Sequence, residues 1–277
     1  MKELIWAEHQ KLRRSKIVLV AIFAVIMVAI IVFTQGQFSF GEKRYIDDAG
    51  WFMNAAQSLA TFFVLPAVIA LLGSYMICRE EQEDTIKSLR LIPISEAKMT
   101  IAKLLITFAF SVLFYLLLFG ITFLVEVILH FRGLSIKMIL SFFKIYLLDG
   151  IGIFFAIAPV IAVVSRIKKG YWLALIFTVI YSFAGLFTSI SDVLSACYPI
   201  TATFNISGYY SATFGEIIIS LMSLFFCGLF SVLILISEKK QSKISNDTTN
   251  ICRTTAKQKK TVAEQPYFHA PILFRRL

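Results

Sequence analysis

The chain has 277 residues, 58% of them hydrophobic, with 27 Phe and a mean hydropathy of +0.79. That balance excludes a water-soluble globular domain and points to an integral membrane protein. The formal net charge of +10 raises nucleic acid as a partner. The basic residues, however, fall mostly at the ends of apolar runs, where they orient spans and meet anionic headgroups, so lipid and not nucleic acid is the expected partner.

In chain order, residues 1–16 predict a short amphipathic helix along the inner membrane surface. Ile5 and Leu12 share one side, Leu4 and Trp6 flank them, and Lys11, Arg13, Arg14 and Lys16 reach for headgroups. A plain basic flank for the first span is the alternative. Six runs long enough to cross a bilayer follow, at 17–33, 58–77, 104–129, 145–164, 171–190 and 217–236; a crossing takes about 20 apolar residues. Phe33-Thr34-Gln35-Gly36 offers no small-x-small cleavage pattern, so the first run reads as a retained span. Pro66 and Pro159 fall inside the second and fourth runs, where they should kink the helix.

Lys and Arg give the sidedness. With the N-terminus inside, the inner segments 1–16, 78–103, 165–170 and 237–277 carry 5, 5, 3 and 9 of them, against 2, 3 and 0 in the outer segments 34–57, 130–144 and 191–216. Both termini are therefore expected in the cytoplasm. The four cysteines, Cys78, Cys197, Cys227 and Cys252, are widely spaced and divided between sides, which argues against a disulfide framework.

The inner segment 79–103 is the one sizeable charged island between membrane-length runs. Over about 80–92 it reads as an amphipathic helix, with Ile86, Leu89 and Ile92 on one face. Glu80, Glu81, Glu83 and Asp84 fill its first turns and Lys87 and Arg90 its last, an order that suits the helix dipole. Pro93 stops it, and Ser95 is placed to cap the next helix. A helix of about twelve residues is marginal alone in water, so it needs a surface to dock on, which suggests a soluble partner.

The outer segment 191–216 has no Lys or Arg and is apolar and aromatic, which predicts a re-entrant or interfacial element. The tail 241–277 is basic and polar and predicts disorder.

No G-x-x-x-x-G-K-[ST] loop, dinucleotide fingerprint or local metal set occurs, so the chain is not expected to be an enzyme. Glu80-Glu81 lacks the Arg four residues after the second Glu that an intramembrane glutamate protease pattern requires. Glu126 and Asp149 are the charges within the spans. One reading has them reaching headgroups or pairing with Lys144, with Asp149 about one turn into its span. The other makes them, with Glu216, an acidic path that attracts a cationic substrate.

Six spans with both ends inside, and an inner loop E-x-x-x-x-T-x-K-x-L-x-x-x-P-I-S-x-x-K-x-x-x-A-K, resemble the permeases of ABC-2-type exporters. The loop residues run from Glu80 or Glu81 through Thr85, Lys87, Leu89, Pro93, Ile94, Ser95, Lys98, Ala102 and Lys103, and Glu8, Lys11 and Ser15 carry the N-terminal likeness. The resemblance covers about residues 1–240 and is greatest to permeases of lantibiotic immunity and bacitracin resistance. It implies an all-α permease of six transmembrane helices in the bacterial plasma membrane, with a permease domain at 17–240. It also implies a connecting helix at 1–16, a coupling helix at about 80–92 and short outer re-entrant helices at about 191–216. Glu80, Glu83, Thr85, Ile86, Leu89 and Pro93 would contact a separate ATP-binding subunit, which would bind the ATP and Mg²⁺, leaving no cofactor in this chain. The permease would pair with a second copy or a paralogue and expel an antibacterial peptide. The basic tail departs from the family pattern. A membrane enzyme, a non-transporting anchor or sensor that docks a regulator through 79–103, and an exporter of an unrelated small molecule or ion are the alternatives.

Overall fold

A computed structural model of the chain describes residues 2–13, 15–40, 43–82, 96–131, 133–167, 170–235 and 237. It is an all-α protein, apart from a ladder of two residues per strand in an outer loop. Helix α1 (Lys2–Arg13) buries Leu12 and Glu8 and leaves Trp6 exposed. Ser15 then caps α2 (Lys16–Gly36) by accepting a hydrogen bond from the Ile17 N–H at 3.3 Å. The short strands β1 (Ser39–Phe40) and β2 (Lys43–Arg44) and a 3₁₀ turn over Tyr45–Asp47 lead to α3 (Trp51–Leu59).

A π-helical stretch, Ala60–Val64, joins α3 to α4 (Leu65–Gln82). Its place follows from Pro66, which brings no N–H and would press its ring on the carbonyl four residues back; the wider turn just before it relieves both. Next come α5 (Glu96–His130), α6 (Ile136–Ile167, with Pro159 inside) and α7 (Leu173–Thr188). Two short helices, α8 (Asp192–Cys197) and α9 (Pro199–Ser207), precede the last span, α10 (Phe214–Leu235).

Among the described residues, five helical stretches are long and apolar enough to cross a membrane: Lys16–Gly36, Trp51–Arg79, Lys98–His130, Ile136–Ser165 and Phe214–Leu235. The fifth apolar run of the sequence forms the shorter α7, because residues 171–172 are a turn and the helix ends at Thr188. Burial is greatest in the apolar stretches of α3–α4 (67%) and α6 (61%) and lower in α2 and α5 (28% each) and α10 (17%). Leu19, Phe23, Phe225 and Phe226 are exposed apolar side chains on α2 and α10, of the kind a bilayer takes up without penalty.

Two boundaries differ from the sequence reading. Glu80–Gln82 continue α4 instead of opening a separate helix; the remainder of the segment read as a coupling helix, with Glu83, Thr85, Ile86, Leu89 and Pro93, lies outside the described residues, as does the tail 241–277. Helix α6 begins at Ile136, nine residues before the apolar run at 145–164, because Lys137 and Lys144 sit on its exposed side and leave the inward face apolar.

Candidate functional site

The helices that meet at the centre carry polar residues at helical spacing. On the second span these are Gly50, Gln57 and Thr61; on α5, Ser111, Tyr115, Thr122 and Glu126; on α6, Tyr146 and Asp149. Offsets of three, four, seven and eleven residues keep each set on one face. The three faces meet as a polar seam inside an apolar bundle.

At the outer end, the fully buried Glu126 accepts a hydrogen bond from the Gly50 N–H at 2.6 Å. Gly50 holds the left-handed conformation (φ 87°) directly before α3, which aims this N–H at the carboxylate, and a methyl group there would collide with Met138 Cε. The same Glu126 oxygen lies 3.0 Å from His130 Nδ1, one helical turn on, while His130 Nε2 lies 3.2 Å from the Asp47 carbonyl oxygen. A carbonyl only accepts, so the contact with Asp47 is a hydrogen bond in the tautomer that carries its hydrogen on Nε2. Asp47 is itself held below its ordinary acidity range, first by the Arg44 N–H at 3.1 Å and then by the Arg44 guanidinium.

One layer further in, the Tyr146 hydroxyl donates to the Met53 carbonyl oxygen at 2.7 Å. Below it Gln57 Nε2 donates to Asp149 Oδ2 at 2.5 Å, both side chains fully buried. The Tyr115 hydroxyl donates to Thr61 Oγ1 at 3.1 Å, and Ser111 Oγ donates to the Gly150 carbonyl oxygen at 2.7 Å. Thr61 belongs to the π-helical stretch, an irregularity often found at functional positions. Phe204 of α9 lies 4.7 Å from the ring of Phe62 in the same stretch, so the outer short helices pack against it.

The residues that the sequence offered as a substrate path thus have distinct surroundings. Glu126 and Asp149 both lie close enough to Tyr146 to act on its hydroxyl. Asp149 stands thirteen residues into α6, about 20 Å along the helix, and not one turn from its end. Its partner is Gln57, and no ion pair of Asp149 with Lys144 occurs among the described residues. Glu216 sits apart, at the start of α10, where it accepts the Thr213 N–H at 2.7 Å. That is half of a capping box, and T-F-G-E announces it in the sequence. Gln57, Thr61, Tyr115 and Tyr146 escaped the sequence reading. Their spacing of three or four residues from other polar positions on otherwise apolar spans was the available signal.

A bundle of apolar helices around a buried polar seam is the architecture of a multi-pass membrane protein of the plasma membrane. Residues 4–185 match the model of the ABC-2 family transporter proteins, and the chain belongs to that family. It is similar to the bacitracin transport permease protein BCRB of Bacillus licheniformis, at 31% identity over 169 residues, which is 60% of this chain and 80% of that protein. Family membership makes this chain a transport permease and implies partnership with an ABC ATP-binding subunit.

Proposed function

We propose that this chain is the membrane-spanning subunit of an ATP-driven exporter that expels an antibacterial peptide of the lantibiotic or bacitracin class. The observation that carries this reading is the likeness to a bacitracin transport permease over most of that protein's length. ATP and Mg²⁺ would be bound and used by the separate subunit. Glu80, Glu83, Thr85, Ile86, Leu89 and Pro93 would seat it, and the permease would work as a pair, with a second copy or a paralogue. The substrate path would follow the seam of Glu126 and Asp149 and leave past Glu216. A cationic peptide entering from the outer leaflet would then meet carboxylates in surroundings of low dielectric, where each charge contact is strengthened.

Expression together with the cognate ATP-binding subunit in a sensitive host should raise the tolerated dose of a cationic, membrane-active peptide. The paired substitution Glu126→Gln with Asp149→Asn should abolish that protection at unchanged protein level. Full protection by the double variant would remove the carboxylates from the path, and no protection by the natural chain would remove the peptide as substrate.

A further inference from the structure

The seam leaves two acceptors without donors at one place. Asp149 Oδ1 and Gln57 Oε1 are both buried and both unpartnered among the described residues, although the two side chains are already joined through Gln57 Nε2 and Asp149 Oδ2. Asp149 has no cationic partner there either. A bare carboxylate so placed is costly: an unpaired buried charge costs several kcal/mol even after relaxation. Two facing acceptors add to that cost, since each buried polar atom without a partner forfeits a hydrogen bond.

One proton removes all three penalties. A carboxylic acid and a primary amide are complementary: the amide N–H donates to one carboxyl oxygen while the acid O–H donates to the amide oxygen. Half of that ring is present already. We propose that Asp149 and Gln57 form a proton-binding site, in which Asp149 Oδ1 carries a hydrogen donated to Gln57 Oε1, and the carboxyl is neutral while α3 and α6 stay packed. This goes beyond the transport reading and does not rest on it: Asp149 would meet a cationic peptide as a carboxylate only after giving up this proton.

The surroundings favour a proton over a metal ion. A hard cation of the calcium class takes about six to eight oxygens, whereas the unpartnered oxygens on this pair number two. The other groups facing Asp149 are Thr61 from the π-helical stretch, Ser207 from α9, and Tyr115 from α5. Tyr146, on α6 itself, faces it as well, and within that tyrosine's reach lie Glu126 and Tyr209. Thr61 and Ser207 bring hydroxyls that can turn a hydrogen toward the carboxyl, and among the described residues no cationic side chain pairs with it. Release of the proton leaves a carboxylate that must be hydrated, so it is coupled to parting of α3 from α6.

The test is infrared spectroscopy of the full-length protein in lipid nanodiscs at neutral pH, with ¹³C in the aspartate carboxyl groups. The expected result is a protonated-carboxyl C=O band that shifts with the aspartate label, which separates it from Glu126. The other aspartates in the described residues, Asp47, Asp48 and Asp192, are exposed and contribute none. The band should be lost in Asp149→Asn, and in Gln57→Leu it should persist at a shifted frequency because the acid loses its amide partner. Absence of any label-sensitive acid band in the natural chain would overturn the proposal, with no variant needed. Persistence of the band in Asp149→Asn would do the same. So would an ionised Asp149 together with a melting temperature that rises with added Na⁺ only while Asp149 is present, which would assign the two oxygens to a metal ion.

Discussion

The Tyr146 hydroxyl donates to the Met53 carbonyl oxygen at 2.7 Å and thereby ties α6 to α3 between two layers of buried carboxyl groups. Thr122 Oγ1 lies 3.4 Å from the same phenol oxygen, so all three central spans meet there. A fully buried phenol in an apolar bundle is retained only where its hydroxyl finds a partner.

Removing that hydroxyl while keeping the ring isolates the hydrogen bond. Tyr146→Phe should lower stability by about 1 kcal/mol, the usual net value of one such bond. Tyr146→Ala, which empties the ring's volume as well, should cost about 3–5 kcal/mol. Denaturation of the purified protein in detergent checks both, and equal losses in the two variants would show that the hydrogen bond and not the ring holds the layer.

Close approach of α9 to α6 depends on Gly152. A methyl group on it would lie 2.5 Å from Thr203 Cγ2 and 2.9 Å from its Oγ1, closer than either atom can tolerate. Gly152→Ala should therefore destabilise by about 1–3 kcal/mol through overpacking. Thr203→Ala should restore much of that loss in the double variant, giving a coupling energy of about 0.5–3 kcal/mol. Strict additivity would mean that the two residues are not in contact.

The apolar runs made the membrane class and the six helices legible in the sequence, because a twenty-residue apolar stretch has few other uses. Their lengths were less legible. Helix α6 starts nine residues before its apolar run, since Lys137 and Lys144 on its exposed side interrupt the run without interrupting the inward face. Glu126 and Asp149 could be singled out by charge, but their partners could not. Gly50 and Gln57 lie 76 and 92 residues away along the chain, and neither is unusual in its own segment. Glu216 illustrates the opposite case: its hydrogen bond is local, three residues from Thr213, and the T-F-G-E pattern carried that signal, although the sequence reading placed Glu216 on a substrate path.

The outer loop should respond to acid through Asp47. The Arg44 N–H and guanidinium hold its carboxyl below the ordinary value of 3.8. A depressed folded-state value means that the contribution is present above the unfolded value and is lost as pH falls through the folded one. The transition therefore lies below pH 3.8. Trp51, stacked on Tyr45 with ring centroids 5.6 Å apart, reports on this loop. In a Trp6→Phe, Trp172→Phe background its fluorescence should change in that acidic window, and Asp47→Asn should flatten the change. An unaltered transition in Asp47→Asn would assign it to another group.

The last prediction concerns the inner segment between α4 and α5. Its charge order and its Ile86, Leu89 and Ile92 face read as a short helix that needs a docking surface, and family membership supplies a partner of the right kind, an ATP-binding subunit. Glu83→Lys combined with Leu89→Asp alters both faces of that helix and touches none of the spans. The variant should reach the membrane in normal amount and melt like the natural chain, because the bundle between α3 and α6 is built from other residues. Co-purification with the ATP-binding subunit should be lost, and with it the stimulation of ATP hydrolysis by the permease. Reversing one charge and burying a carboxylate against an apolar seat costs several kcal/mol together, enough to weaken a micromolar contact more than a hundredfold. Normal co-purification and stimulation would place the subunit contact elsewhere. Loss of the protein from the membrane would instead make residues 80–92 part of the permease's own fold.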